Sequence, residues 1–445
     1  MQCLRQAGTK LSCGVHHARL WCPGRLIASS AGSTGRKKLV ILGNGWGSYS
    51  VLKSINKDLY DVIVVSPRNH FLFTPLLAST TVGTLEFRSI IEPVRNTKFR
   101  QTEHFHLSEA TGLDPDNRLV HVRSMLKPGH QYSIDYDKLV IGVGALSNSF
   151  GIPGVYEHAF FLKEISDARK IRNRILSNIE LAVQPGISEE ERKQLLHVVI
   201  VGGGPTGVEF GAELYDFVEQ DVARLFRQEL NHVEVTLVES KQILAAFDQR
   251  LQKYAEKKIR QREKFKLVKS SVTEVRPDSV VLADGTVVPC GLVVWSTGLA
   301  PREFTKSLNL PKNRHGQLLT DGYLRVKNTP PDTVYALGDC ADIEDYPLPC
   351  TAQVAERAGR YLAKQLNSLS TPDEKFTFNS MGMLAYIGRY EGLTDLPDVK
   401  LQGFPSWLLW RSVYLTRLGS WRLRMQVPID WLKTLLYGRD ISRFD

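Results

Sequence analysis

A chain of 445 residues with 42% hydrophobic and 23% charged side chains is long enough for two or three domains and has no composition of disorder. No run approaches the ~18 apolar residues that span a bilayer, which excludes a body that crosses the membrane. The net charge of +10 is spread along the chain with no recognised nucleic-acid module, which argues against nucleic acid and favours an anionic membrane surface as partner.

Residues 1–35 precede the first acidic residue, Asp58, and carry Arg5, Lys10, Arg19 and Arg25 with Ser29, Ser30 and Ser33. An acid-poor stretch with Arg and Ser reads as a mitochondrial transit peptide, against the alternative of a plain basic tail. Six cysteines, Cys3, Cys13, Cys22, Cys290, Cys340 and Cys350, include no C-x-x-C pair. Neither a disulfide framework nor a dithiol centre nor a metal knuckle is indicated, no metal is expected, and Cys340 and Cys350 read as packing residues.

Ordered structure is expected from Lys37. The apolar run Lys38 to Leu42 reads as a buried parallel strand entering Gly43-Asn44-Gly45-Trp46-Gly47-Ser48 and then a helix. Glycines there permit a tight turn and bring backbone N–H groups close to a pyrophosphate at the positive end of the helix. The match is degenerate, since Ser48 replaces the third glycine and the next strand, Asp61 to Val65, ends on Ser66 where an acidic residue is usual; a turn with no ligand stays open.

The second turn fits G-x-G-x-x-G in full: Leu196 to Val201 leads into Gly202-Gly203-Gly204-Pro205-Thr206-Gly207, with a helix expected from Val208 to about Leu230. The following strand, Val233 to Val238, ends on Glu239. Its carboxylate is placed to accept from both hydroxyls of an adenosine ribose and to repel a 2′-phosphate, which predicts NADH over NADPH; a solvated strand-end carboxylate is the alternative. Leu139 to Ala145 and Val293 to Gly298 each join a short apolar strand to a small-residue turn, as strands returning the chain between domains would. Val334 to Leu337 forms a strand ending at Gly338-Asp339, where the Asp either binds a flavin ribityl chain or caps the next helical turn.

From Gly403 to Asp445 the composition changes, with four of the seven tryptophans and seven basic against three acidic residues. Trp407, Trp410, Tyr414 and Leu418 fall on one helical stripe, with Arg411 and Arg417 as snorkelling cations, which predicts an amphipathic foot on a membrane surface. A packing helix or dimer face is the alternative, and a homodimer is expected to use part of this segment. No EF-hand loop is present, so calcium control of that kind is not expected.

Together these residues resemble the type II NADH dehydrogenases, single-subunit and non-pumping members of the glutathione-reductase-like flavoproteins, from Lys37 to Asp445. The two glycine turns and Tyr335-Ala336-Leu337-Gly338-Asp339 carry the group. The narrower family motifs are Ser66-Pro67-Arg68-Asn69 with Phe73-Thr74-Pro75-Leu76-Leu77, Thr351-Ala352-Gln353-Val354-Ala355, Leu384-Ala385-Tyr386-Ile387-Gly388 and Gly438-Arg439-Asp440-Ile441-Ser442-Arg443.

The resemblance implies an α/β fold of two Rossmann-like dinucleotide-binding domains with a C-terminal amphipathic membrane-associating region. FAD would occupy 36–155 with 305–375, NADH 156–304, and the membrane and dimer region 376–445. Gly43, Gly45 and Gly47 would hold the FAD pyrophosphate, Ser66 and Arg68 its adenosine, and Asp339, after Gly338, its ribityl chain. Gly202, Gly204, Gly207 and Glu239 would hold NADH, with Gly298 also at the cofactors. Thr74, Pro75, Ala352 and Gln353 would flank the isoalloxazine, Gln353 nearest the quinone. The family's second glutamine is Arg357 here, which bears on quinone preference.

The implied activity is NADH:ubiquinone oxidoreduction without proton pumping, since cofactors carry the electrons and a chain without membrane spans has no route for ions. Glu209, two positions past the second turn, is the expected proton or positioning group near nicotinamide and quinone; a Glu merely facing the helix dipole is the alternative. The expected location is the mitochondrial inner membrane, peripheral, with the face left open and the matrix side favoured. The rivals are an apoptosis-inducing-factor-like or ferredoxin-reductase-like flavoprotein with a non-quinone acceptor, and a nucleotide sensor with little turnover. Sulfide:quinone chemistry is disfavoured for want of a reactive cysteine pair.

Overall fold

The computed structural model describes residues 35–368 and 374–443. The expected transit segment, apart from Gly35, lies outside the described residues.

The chain forms an α/β fold built on two Rossmann-like sheets. Lys37–Leu42 is central to a seven-stranded sheet, because a run of four wholly buried apolar residues at its end must be covered on both faces. Tyr60–Ser66, then Phe105–Asp114, lie parallel on one side of it, and Lys138–Ile141, then Val334–Ala336, parallel on the other. Leu119–Ser124 and Gln131–Asp135 extend the sheet antiparallel from Phe105–Asp114.

The second sheet is parallel throughout, in the order Phe160–Phe161, Leu292–Trp295, His197–Val201, Glu234–Val238 and Phe265–Val268. The strands Lys138–Ile141 and Leu292–Trp295 lead into Ala145–Ser147 and Leu299–Pro301. These pair antiparallel with each other and so bind the two nucleotide folds together.

Helix Pro205–Phe217 is shorter than the expected run to Leu230. A π-helical turn, Val218–Val222, and a short turn, Ala223–Leu225, follow, and the backbone leaves the helix at Phe226. The change of pitch places Asp221 inward, where Arg439 from the tail pairs with it at 2.9 Å.

The last part of the chain is a three-stranded antiparallel meander, Met383–Gly388, Glu391–Asp395 and Lys400–Gly403, and two helices, Phe404–Arg417 and Trp421–Tyr437. The stripe expected to meet a membrane faces inward instead. Trp410 is 3% and Leu418 1% exposed, and Trp410 packs on Tyr386 and Tyr414 within the main core. Helical spacing locates an apolar stripe without saying what covers it, and here the C-terminal meander does, with Phe73 against Tyr414 and Glu209 against Trp410. Arg411 and Arg417 are likewise not snorkelling. The Arg411 guanidinium lies 4.3 Å from the ring centres of both Trp407 and Trp431, and Arg417 pairs with Glu356 at 3.5 Å. Among the described residues no helix is long and apolar enough to cross a membrane.

Candidate functional site

At the end of strand Lys37–Leu42, Gly43 has φ +89°, and a Cβ there would lie 2.4 Å from the Gly142 carbonyl oxygen. Only glycine fits that corner. Gly45 caps helix Trp46–Ser54 with no side-chain acceptor, and a Cβ on it would meet nothing within 4 Å. The first N–H groups of that helix therefore have no side-chain cap, as a seat for a pyrophosphate requires. Gly47 serves packing as well, since a Cβ would strike the Leu337 side chain at 2.0 Å. Ser48 replaces the third glycine without loss because its buried hydroxyl reaches the carbonyls of Leu42 and Gly142, at 3.2 and 3.3 Å.

Ser66 is buried at its strand end, and its hydroxyl accepts from the Arg68 backbone N–H at 3.3 Å. The Arg68 side chain donates to Asn44 at 2.9 Å, while the Asn44 amide donates back to the Arg68 carbonyl at 2.7 Å. This mutual pair, which the sequence did not signal, locks the Ser-Pro-Arg loop to the glycine turn.

Both features open on a cavity of about 760 Å³, within the range for a bound cofactor. Gly43, Gly45, Gly47, Ser66, Arg68 and Thr74 line it from the first fold, Glu209 and Gly298 from the second, and Gly338, Asp339 and Ala352 from the later strand and helix. Pro75 does not reach the cavity; it holds the 3₁₀ turn Thr74–Leu76, whose Thr74 hydroxyl accepts from the Trp46 indole at 3.0 Å.

Asp339 makes no helix cap, which removes that alternative, and its nearest cation is Lys163 at 3.6 Å. Lys163 also lines the cavity, and burial, partly offset by Asp339, lowers its pKa. It belongs to a short loop with no motif of its own. Cys340 is buried as expected, but Cys350 is exposed, at the cavity rim, where the Gln317 amide donates to its sulfur at 3.4 Å; it is not a packing residue.

The second turn is tighter. Gly202 has φ +112°, and a Cβ on Gly207 would fall 2.0 Å from the Gly202 carbonyl oxygen, so the helix can approach the strand only with glycine at both places. Gly204 caps the helix and faces open space. Glu239 lies beneath this turn and accepts from the N–H groups of Gly203 and Lys241 at 2.7 and 2.8 Å. The Oε1 atom also accepts from the Ser240 hydroxyl at 3.3 Å, whereas Oε2, bonded to the Gly203 N–H alone, keeps a lone pair for a hydroxyl. None of Gly202, Gly204, Gly207 or Glu239 is part of the 760 Å³ cavity, which meets the second fold through residues that include Lys163, Thr206, Glu209, Ser296 and Gly298.

Glu209 is the fifth residue of its helix, past the first turn, so the dipole alternative has little hold on it. Burial raises its pKa to about 8 against hydrogen bonds from the Tyr386 N–H at 3.2 Å and the Trp410 indole at 3.3 Å. It is a carboxyl group kept protonated at neutral pH on the cavity wall. Gln353, by contrast, does not line the cavity. Its amide donates to the Gly382 carbonyl at 2.8 Å and accepts from the Met381 N–H at 3.3 Å, tying helix Ala352–Ser368 to the C-terminal segment. Arg357, one turn on, reaches the neighbouring Asn379 carbonyl and stacks on Phe378.

Comparison with known proteins gives the following. The Pyridine nucleotide-disulphide oxidoreductase family matches residues 37–359, and the NDH2 C-terminal domain matches residues 381–440. A "Probable NADH dehydrogenase" of Dictyostelium discoideum is 48% identical over 414 residues, 92% of this chain and 91% of that one. The "Internal alternative NAD(P)H-ubiquinone oxidoreductase A1, mitochondrial" of Arabidopsis thaliana is 44% identical over 92% of this chain and 86% of its own. Among solved structures, NDH2 from Plasmodium falciparum in complex with NADH superposes with a TM-score of 0.87 at 28% identity, covering 92% of this chain and all of that one.

Proposed function

The chain belongs to the type II NADH dehydrogenases, FAD-dependent NADH:quinone oxidoreductases, and from that premise we infer how its residues divide the work. FAD, when bound, accepts hydride from NADH and passes the electron pair to ubiquinone. The donor set of the cavity fits that cofactor: an uncapped helix N-terminus behind a turn that admits only glycine, with Arg68 beside it.

Gly43, Gly45 and Gly47 hold the pyrophosphate, Ser66 and Arg68 the adenosine, and Asp339 the ribityl chain. Thr74, Gly298 and Ala352 shape the wall at the isoalloxazine. Gly202, Gly204 and Gly207 bring NADH to the second helix, and Glu239 accepts from a hydroxyl of its ribose. Glu209 holds a proton where both folds meet, and Gln353, with Arg357, positions the 378–382 segment at the quinone end. On this division 36–155 with 305–375 serves FAD, 156–304 serves NADH, and 376–445 serves membrane and dimer. The observation that carries the reading is the single cavity lined from both glycine-turn folds, with a neutral Glu209 on its wall.

The protein rests peripherally on the mitochondrial inner membrane. The Arg- and Ser-bearing leader and the relative named mitochondrial support this, and that relative's designation as internal favours the matrix side. The contact surface is helix Trp421–Tyr437, where Trp421, Met425, Ile429, Leu432 and Leu436 form one exposed apolar stripe, from 46% to 76% exposed, with Arg422 and Lys433 beside it. A homodimer uses part of the same region.

Purified FAD-loaded protein in liposomes, given NADH or NADPH and a short-chain ubiquinone, tests this. Rapid turnover with NADH and little with NADPH is expected. Flavin reduction without quinone turnover would instead point to a protein or oxygen acceptor.

A further inference from the structure

Four basic side chains line the 760 Å³ cavity, and three of them already have hydrogen-bond acceptors in the protein. Arg68 is held by Asn44 and Glu164, Arg123 by Glu109, and Arg302 donates to the Val143 carbonyl at 2.7 Å. Lys163 differs. Its ammonium stands 3.6 Å from an Asp339 oxygen, too far for a hydrogen bond, and among the described residues Asp339 is its only ion-pair partner. Among the same residues the Asp339 carboxylate has no other cation.

The side chains of Lys163 and Asp339 are only 30% and 26% exposed. An ammonium offers only donors and a carboxylate only acceptors, and holding both half-buried without hydrogen bonds is costly. The pair is therefore a receptor that the protein itself does not fill. The backbone fixes it in place. Lys163 joins strand Phe160–Phe161, at the edge of the second sheet, to helix Ile165–Ala182. Asp167, in the first turn of that helix, accepts from the Lys163 and Glu164 N–H groups at 3.1 and 2.8 Å, and the Glu164 side chain accepts from the Asp167 N–H in return. Leu162, just before, is part of the main core. Lys163 is thus anchored in the second fold, and its side chain crosses to Asp339, which follows strand Val334–Ala336 of the first.

We propose that Lys163 is a FAD-binding residue, which donates to the cofactor from beside Asp339 and supplies positive charge that favours the reduced flavin. A ligand hydroxyl is both donor and acceptor. One such group fits this pair by giving its hydrogen to Asp339 and accepting from Lys163.

The electrostatics agree. A hydride brings a negative charge into the cavity with its electron pair, and between protein walls a fixed cation counts for more than in bulk water. Asp339 alone would oppose that charge, and Lys163 offsets it. The three arginines of the wall are already bound to protein acceptors, so they answer it less freely. Burial lowers the Lys163 pKa and Arg302 adds to that, whereas Asp339 and Glu164 favour the charged ammonium.

The inference rests on the reading of Asp339 as a ligand of FAD, and K163Q, K163R and D339N separate the two claims. For each full-length variant the FAD dissociation constant is read from flavin fluorescence as FAD is added back to stripped protein, and the flavin midpoint potential from equilibration with redox dyes. For K163Q the dissociation constant should rise at least about tenfold. Its potential should fall by about 30 mV, which is a tenfold weaker preference for the reduced form in a two-electron couple. K163R keeps the charge and should stay within about threefold of the unsubstituted protein on both scales. An unchanged constant or an unchanged potential in K163Q overturns the proposal, and so does a loss in K163R as large as in K163Q. K163M, which keeps the apolar stem, decides the matter if K163Q does not fold. If D339N binds FAD as tightly as the unsubstituted protein, the reading of Asp339 fails; if D339N weakens binding and K163Q does not, the assignment of Lys163 alone fails.

Discussion

At the level of single residues, burial decides chemistry that identity leaves open. Glu209 has an ordinary carboxyl pKa of 4.5 when exposed and about 8 in the fold, so the native state keeps a proton that the unfolded chain releases. Between those values the folded form binds more protons, and the stability that Glu209 contributes falls as pH rises from about 4.5 to 8 and levels off above. E209Q should flatten that slope in urea unfolding measured at acid and mildly alkaline pH. Quinone turnover by the unmodified protein should decline as pH passes upward through about 8, since the carboxyl group then empties. Arg439 is the opposite case, a buried cation whose 2.9 Å pair with Asp221 leaves no room for an apolar substitute without an unpaired charge. R439M should cost about 3–5 kcal/mol in denaturant unfolding.

At the level of elements, the two glycine turns fail differently. G43A places a methyl group against the Gly142 carbonyl at a backbone angle closed to alanine, and should yield protein depleted of FAD that no added NADH reduces. G207A drives its methyl into the Gly202 carbonyl at 2.0 Å and should leave FAD bound while raising the KM for NADH at least about tenfold, read from flavin bleaching. Equal loss of FAD in both variants would contradict the assignment of one turn to each nucleotide. The C-terminal helices divide by face in the same way. Trp410, Leu418, Leu423 and Val427 are core residues, so deleting residues 403–445 would unfold the protein rather than merely release it from a membrane.

At the level of the whole molecule, the exposed stripe of helix Trp421–Tyr437 provides the cleaner experiment. Replacing Trp421, Met425, Ile429, Leu432 and Leu436 with Ser and Gln should abolish flotation with anionic liposomes while the NADH–ferricyanide rate is kept. A variant that still floats would remove this helix from the membrane contact, and one that turns from dimer to monomer would make the stripe the subunit interface.

Family and fold class were legible along the chain because their signals are local. A buried strand, a glycine corner and a helix follow one another within about a dozen residues, and the physics of each, a backbone corner open only to glycine or a helix end without a cap, needs no distant partner. What covers an apolar stripe and which charges meet are questions between segments far apart in sequence. Hence Trp410 read as a membrane foot and proved to be core, Arg411 lies between the rings of Trp407 and Trp431, Asn44 and Arg68 gave no sign of their mutual lock, and Lys163 went unmarked beside Asp339. The sequence by itself determined the two nucleotide folds and the residues at their turns. Only the tertiary structure decided which face of the tail is free and that Glu209 carries a proton, because exposure and pKa depend on neighbours up to 201 positions away.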